Sequence, residues 1–195
     1  LSNLFKKHDK EWAPVVKMLC GHKQFLEFIL SLGEEQVCDA RLTNLRTIKS
    51  INPKVETIYI KPPAKRSIKS VVKYADVSFN TEFTTIKWLS EEAKNQNKVH
   101  RIIIMIELGD LREGILGEHL LDFYKKVFEL PNIKVVGIGA NLNCLSGVMP
   151  SKDKLIQLSL YEQLIEAKFG IKIENVTGGS SVMIPLLQKQ QIPKG

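Results

Sequence analysis

The chain has 195 residues, of which 44% are hydrophobic and 25% are charged, a composition typical of one globular domain. Its net charge of +7 is spread thinly, and the densest basic segment, residues 61–73, lacks the interleaved aromatics of a single-strand-binding surface, so we expect no nucleic-acid partner. No apolar stretch is long enough to cross a bilayer, residues 1–10 are polar, and the three cysteines show no zinc spacing. We therefore expect reduced thiols in a cytoplasmic protein, with no membrane partner and no metal.

Short apolar runs alternate with longer amphipathic stretches along the chain. The runs are rich in Val and Ile, as in strands buried on both faces of a parallel sheet, and cover residues 13–17, 36–39, 57–61, 77–79, 102–107, 135–140 and 173–176. The stretches between them predict helices over residues 23–32, 42–51, 67–74, 82–96, 118–130 and 151–169. Asn80 or Thr81 is predicted to cap the fourth helix and Ser151 the sixth, while Gly33 and Gly170 fall at helix C-termini.

Strands that alternate with helices predict a parallel α/β fold, for which two arrangements compete. A doubly wound dinucleotide-binding sheet would carry a GxGxxG turn after its first strand, but that turn holds only Gly21. A (β/α)8 TIM-type barrel has eight strands and usually about 250 residues. We favour an incomplete barrel with seven strands and no eighth, and we expect residues 1–195 to form a single domain.

Lys17 is the first candidate for chemistry. It ends the first predicted strand, at the edge where barrels place their active-site residues. Partial desolvation there would lower the pKa of the amine and free it to attack a carbonyl group. The structural alternative is a strand-end lysine that extends into solvent.

Arg112 is the second candidate, in residues 107–114 (ELGDLREG), which we call the arginine loop. Two glycines allow this loop to turn tightly over the barrel mouth, and the guanidinium is suited to a phenolate, carboxylate or phosphate. The alternative is a surface arginine that pairs with Asp110 or Glu113.

The glycine-serine loop, residues 177–181, follows the last predicted strand. Its glycines expose backbone N–H groups and its hydroxyls add donors, which is typical of a phosphate site, although such residues also form ordinary turns. The residues concerned are Thr177, Gly178, Gly179, Ser180 and Ser181.

The remaining candidates also follow predicted strands. Asn141, Asn143 and Cys144 leave the sixth strand, where amides would hold a ring substituent or a carboxylate, or would simply form a turn. Arg41 follows the second strand as a pocket cation or a surface charge. A strand-end lysine, a phosphate-type loop and an arginine on one rim together indicate a pyridoxal 5'-phosphate site, since this cofactor needs an amine, a phosphate cradle and polar groups around its ring.

From about residue 15 to residue 185 the chain resembles the barrel domain of fold-type III pyridoxal phosphate enzymes, the alanine racemase family, and most closely its ornithine racemase-like branch. The matching motifs are VVK (15–17) with Cys20, DAR (39–41) with Asn44 and Leu45, VVKYAD (71–76), NKVH (97–100), IMIELGDLREG (104–114), GIGANLNC (137–144) and TGGSS (177–181). The ELGDLREG segment is the most specific of them.

The resemblance implies that Lys17 forms the internal aldimine and acts as one of two acid–base groups at the substrate Cα. It places Arg112 near the cofactor's ring oxygen and residues 177–181 around its phosphate. Cys20 lies about where typical alanine racemases have a tyrosine, and Met105 where some have a carbamylated lysine. The family's eighth strand and C-terminal β-domain, which supplies the second base, are not within residues 1–195, so we expect a fragment of a longer protein.

The expected function is therefore a pyridoxal phosphate-dependent amino-acid racemase of the alanine or ornithine racemase type. Its substrate would be a small or basic amino acid, with Arg41, Asn143 and Cys144 as candidate substrate contacts, and the full-length protein would be a homodimer. The alternative is a non-catalytic pyridoxal phosphate-binding or homeostasis protein built on the same barrel.

Overall fold

The computed structural model describes residues 1–143 and 147–193, and its centre is a sheet of six parallel strands paired in chain order. The strands are β1 (Gln36–Asp39), β2 (Glu56–Tyr59), β3 (Val77–Asn80), β4 (His100–Met105), β5 (Ile133–Gly139) and β6 (Asn175–Thr177). The helices are α1 (Ser2–Lys7), α2 (Lys23–Ser31), α3 (Leu42–Ile51), α4 (Ile68–Tyr74), α5 (Phe83–Asn95), α6 (Leu120–Phe128), α7 (Lys152–Phe169) and α8 (Ile184–Gln188). Short 3₁₀ helices cover Lys17–Leu19, Lys65–Ser67, Gly117–His119 and Ser181–Met183.

Two apolar clusters lie on the two faces of this sheet. Ile102 and Ile104 of β4 belong to the larger cluster, which includes side chains of the surrounding helices. Ile103 and Met105 of the same strand point the opposite way, into the smaller cluster inside the curved sheet. Because both faces of β4 are buried, its residues from Ile102 to Met105 form a continuous apolar run. Parallel strands in chain order with helices outside them form an incomplete TIM-type barrel, as predicted.

The first predicted strand, residues 13–17, differs from the others. Val15 pairs with Cys38 of β1 through an isolated parallel bridge, with Val16 N–H donating to Cys38 O and Cys38 N–H to Pro14 O. Pro14 has no N–H to extend the ladder, and Lys17 already begins a 3₁₀ helix. The segment therefore lies along the sheet in the predicted place but does not form a regular strand.

The bounds of α2 to α7 agree with the six predicted helices to within two residues, whereas α1 and α8 were not predicted. Two of the predicted caps are confirmed. Ser151 caps α7 by accepting from Lys154 N–H, and Gly170 ends this helix in the left-handed conformation. The cap predicted at Asn80 or Thr81 is wrong, since α5 starts after Glu82 without a side-chain cap. Asn80 is instead buried in β3, where its amide donates to the backbone and hydroxyl oxygens of Ser78.

None of the helices in the described residues is long and apolar enough to cross a membrane.

Asp76 connects α3, β2 and the start of β3. Its Oδ2 accepts from Lys49 Nζ at 2.6 Å, from Thr57 N–H at 2.8 Å and from the Thr57 hydroxyl at 2.9 Å. Burial raises the pKa of the Asp76 carboxyl, but the hydrogen bonds from Lys49 and Thr57 and the charge of Lys49 outweigh burial and hold the pKa below its usual value.

This lowered pKa predicts a specific acid dependence of stability. A carboxyl whose pKa is lower in the folded state stabilises the protein above its unfolded pKa of about 4, and this contribution is lost as the pH falls through the folded pKa. Asp76→Asn should lower the free energy of unfolding at pH 7 by about 1–2 kcal/mol and flatten its decline in acid. Urea titrations across this pH range measure both effects, with the exposed Asp122→Asn on α6 as control. An equal acid slope in wild type and Asp76→Asn would contradict the assignment.

Candidate functional site

A cavity of about 920 Å³ occupies the interior of the incomplete barrel. Side chains of the inner apolar cluster, among them Cys38, Ile58 and Ile103, form part of its wall. The residues at its rim follow the carboxyl ends of the strands. Most of the sequence-predicted site residues line it, namely Lys17, Arg112, Asn141, Thr177, Gly178, Gly179, Ser180 and Ser181. The fold thus brings to one cavity residues that are up to 164 positions apart, from 17 to 181.

Lys17 lies at the carboxyl end of the bridged segment, and its carbonyl oxygen accepts from Arg41 Nη1 at 3.3 Å. The residue lines the cavity but is exposed, so the desolvation expected from the sequence is not present in this structure. The reason is its location at the edge of the sheet: in the described part of the chain, residues 13–16 pair with β1 alone. Lys17 is therefore an accessible amine at the rim of the cavity.

The arginine loop leaves β4 and returns to its end. Glu107 N–H donates to Ile115 O at 3.1 Å, and Glu107 Oε1 accepts from the N–H groups of Gly109 and Leu111. Arg112 Nε lies 3.0 Å from Glu113 Oε2. The sequence left open whether Arg112 is a cavity cation or a partner of a neighbouring carboxylate. In the structure it is both, because its guanidinium pairs with Glu113 and also lines the cavity.

Glu113 also accepts a hydrogen bond from Asn141 Nδ2, through its Oε1. Asn141 follows β5, the neighbour of β4, so the carboxylate connects two adjacent strand ends. Sequence reasoning considered Glu113 only as a surface partner of Arg112 and did not place it in the site. Its position next to Arg112 in the most specific motif was the available signal.

The glycine-serine loop begins where β6 ends and lies against the end of β5. Gly179 has φ of +99°, and a Cβ atom built on it would lie 2.7 Å from Ala140 O. Only glycine fits this close approach without strain. The Ser180 hydroxyl donates to Leu142 O at 3.4 Å, and Ser181 begins a 3₁₀ helix. Glycine backbone and hydroxyl groups are thus held together on the cavity wall.

The two described residues that were predicted to contact the substrate, Arg41 and Asn143, are not among the residues that line the cavity. Arg41 is not part of the cavity lining; its Nη1 donates to Lys17 O and contacts Cys20 Sγ at 3.4 Å. Asn143 does not line the cavity either. Cys144 lies outside the described residues.

Asp39 is a buried residue of this region that sequence reasoning missed as a contributor. It is the last residue of β1; its Oδ1 accepts from Arg41 N–H at 2.7 Å and its Oδ2 from Asn44 Nδ2 at 3.0 Å. Asp39 thereby fixes the backbone from which Arg41 reaches Lys17. The pattern Asp-Ala-Arg followed by Asn44 could have indicated this local hydrogen bonding.

The ends of the cavity carry different charges. Three cations, Lys17, Lys61 and Arg112, line the rim at the carboxyl ends of the strands. Among the described residues, they outnumber the one carboxylate at this rim, Glu113. At the amino ends, Arg101 of β4 forms a salt bridge with Glu56 of β2, which balances charge. An anionic ligand is therefore favoured at the carboxyl-terminal rim.

Cys38 lies on the cavity wall but is not suited to nucleophilic chemistry. Burial, with smaller effects from Glu56 and Asp39, raises the pKa of its thiol to about 12. The thiol stays protonated at neutral pH and acts as an apolar wall residue.

Comparison of the sequence with protein families gives a match over residues 1–191 to the family described as alanine racemase, N-terminal domain. An ornithine racemase from Acetoanaerobium sticklandii is 36% identical over the whole chain and 55% of its own length. A lysine racemase from Thermotoga maritima is 26% identical over 93% of the chain and 50% of its own length. The chain spans about half the length of these curated relatives.

Solved structures show the same fold at low sequence identity. An alanine racemase from Clostridium difficile 630, in complex with cycloserine, has a TM-score of 0.75 at 14% identity and covers 94% of this chain and 52% of its own. PipY from Synechococcus elongatus PCC7942, with PLP bound, has a TM-score of 0.78 at 10% identity and covers 93% of this chain and 87% of its own.

Proposed function

The chain belongs to the alanine racemase N-terminal domain family, and from this premise we propose that it is the pyridoxal phosphate-binding barrel of an amino-acid racemase. One observation carries the proposal: a single cavity is lined by the amine-bearing Lys17, by Arg112 and by the glycine-serine loop. These groups come from the two ends of the sequence and from its middle, and meet only in the folded chain.

The cavity residues fit this cofactor. The close approach at Gly179 leaves a compact cradle of backbone and hydroxyl groups, and the positively charged rim suits a phosphate and a ring oxygen. Thr177, Gly178, Gly179, Ser180 and Ser181 would hold the phosphate, and Arg112 and Asn141 would lie beside the ring. When bound, pyridoxal phosphate supplies an aldehyde that takes up an amine and a ring that acidifies the proton on the substrate α-carbon.

Lys17 has two roles in this proposal. Its amine is the point of covalent attachment, and it holds or releases the proton at one face of the substrate α-carbon. An exposed amine at the rim is accessible to both cofactor and substrate. The second acid–base group at the opposite face is not assigned to any residue of this chain.

The proposed substrate is a basic amino acid, with ornithine first. This choice is supported by the ornithine racemase and lysine racemase among the relatives. We also propose that the complete protein is a homodimer in the cytoplasm. Light scattering on the full-length protein would measure its oligomeric state.

Exchange of the α-proton tests the proposed function. The full-length protein with pyridoxal phosphate, incubated with L-ornithine in deuterated water, should incorporate deuterium at Cα and accumulate D-ornithine. L-lysine and L-alanine, run in parallel, rank the substrates by their exchange rates. Cofactor binding without exchange of any of the three would favour the non-catalytic alternative, and no cofactor binding at all would reject both.

A further inference from the structure

Glu113 connects two loops at the rim of the cavity. Its side chain is 12% exposed; Oε2 lies 3.0 Å from Arg112 Nε, and Oε1 accepts from Asn141 Nδ2. Arg112 belongs to the arginine loop after β4, and Asn141 follows β5. One carboxylate therefore contacts two side chains that line the same cavity but come from different strand ends.

The backbone that carries Glu113 is fixed by the closure of the arginine loop. Ile106 and Ile115 form a parallel bridge, and Ile115 N–H donates to Met105 O at 2.9 Å. Gly114 has φ of +137°, and a Cβ atom there would collide with the backbone of Glu107. Because the loop is pinned immediately after residue 113, the carboxylate projects from a defined point and not from a free surface turn.

The other cavity-lining carboxylates lie elsewhere. Glu56 pairs with Arg101 at the amino ends of the strands, Glu162 lies on α7, and Glu11 accepts from Gln36 of β1 at 3.2 Å. Among the described residues, Glu113 is thus the cavity-lining carboxylate that contacts Arg112 and Asn141. A largely buried carboxylate requires such partners, because burial without them is strongly unfavourable.

We infer that Glu113 is a positioning residue that holds the Arg112 guanidinium and the Asn141 amide in the wall of the cofactor site; this inference rests on the proposed function. Glu113 acts through these two groups. Its charge also partly offsets that of Arg112. A purely electrostatic role and a positioning role predict opposite changes in cofactor affinity when the Glu113 charge is removed. Loss of the negative charge alone would strengthen the binding of anions, whereas loss of the positioning contacts would weaken cofactor binding.

The test compares Glu113→Gln with Glu118→Gln, an exposed charge change four residues beyond the end of the arginine loop that does not line the cavity. Titration of the full chain should show pyridoxal phosphate bound about tenfold more weakly by Glu113→Gln, and inorganic phosphate bound within about twofold of wild type. Glu118→Gln should change neither affinity. Tighter or unchanged binding of pyridoxal phosphate by Glu113→Gln would overturn the inference.

Two further measurements isolate the mechanism. In an Arg112→Met, Asn141→Ala background, Glu113→Gln should not weaken cofactor binding further, whereas a further loss of cofactor affinity would overturn the inference. In the cofactor-free chain, NMR should show that solvent exchange of the Arg112 Nε–H is about tenfold faster in Glu113→Gln than in wild type. An unchanged exchange rate would also overturn it. A wild-type chain that binds no pyridoxal phosphate rejects the proposed function, while the NMR measurement still decides whether Glu113 holds Arg112.

Discussion

Lys17→Ala is expected to abolish covalent attachment of pyridoxal phosphate to this chain. Attachment requires a primary amine at the cavity, and Lys17 supplies it at the rim, in the same cavity as the glycine-serine loop. After reduction with sodium borohydride, mass spectrometry should detect the cofactor on Lys17 of wild type and no label on the variant. The visible absorbance of the bound cofactor should disappear in parallel.

Lys61→Ala is the matched control, because Lys61 also follows a strand and lines the cavity. It should retain the label, since the proposal assigns attachment to one lysine and not to the positive charge of the rim. Lys17→Arg, which keeps the charge, should be as unreactive as Lys17→Ala. Because Lys17 is exposed, the free energies of unfolding of both Lys17 variants should lie within about 0.5 kcal/mol of the wild-type value. A label that persists in Lys17→Ala would refute the assignment.

Gly179→Ala is expected to weaken binding of pyridoxal phosphate by at least about tenfold. The added Cβ would lie 2.7 Å from the backbone oxygen of Ala140, on a residue whose φ is +99°. Backbone cannot yield as a flexible side chain does, so the glycine-serine loop must move away from the end of β5. Its hydroxyl and N–H groups would then no longer converge on one phosphate. A fluorescence titration with pyridoxal phosphate measures this loss of affinity. The affinity for inorganic phosphate should fall by a similar factor.

Two other glycines serve as controls that separate the effect of backbone strain from the effect of the close contact. Gly33 has φ of +83° but nothing within 4 Å of a built Cβ, so Gly33→Ala should lower stability by about 1 kcal/mol and leave cofactor affinity unchanged. A Cβ at Gly178 would meet only the ends of the Met183 and Leu155 side chains, at 3.0 and 3.3 Å, so Gly178→Ala should be milder than Gly179→Ala. Equal affinities of wild type and Gly179→Ala would show that the close approach is not needed for binding.

Much of the fold could be predicted because its signals are local. Residues 102–106, for example, are apolar throughout because β4 is buried on both faces. Helix α7 is bounded by Ser151 and Gly170 through hydrogen bonds and φ preferences of single residues. The cap prediction failed where strand pairing competes with the local preference, because Asn80 is the last residue of β3 and pairs with Ile104 of β4. Asn80 is a good cap by type, but Ser78 engages its amide within β3.

The sequence predicted which residues lie at the candidate site better than it predicted the contacts between them. Strand ends of a parallel sheet converge on one edge, so Lys17, Arg112 and the glycine-serine loop could be assigned to one rim from their positions after apolar runs. Position along a strand says nothing about which side chains touch across strands. The exposure of Lys17 depends on the sheet edge, and Arg41 contacts Lys17 O instead of lining the cavity.

The sequence by itself determined the alternation of strands and helices, the family, and the residue types available at the rim, because periodicity, turn chemistry and motif spacing are written in neighbouring residues. Only the tertiary structure decided that Glu113 joins Arg112 to Asn141 and that Gly179 lies against Ala140. Those contacts depend on the register between β4, β5 and β6 and on how each loop closes. Register and closure are set by packing of the whole sheet, which no local pattern encodes.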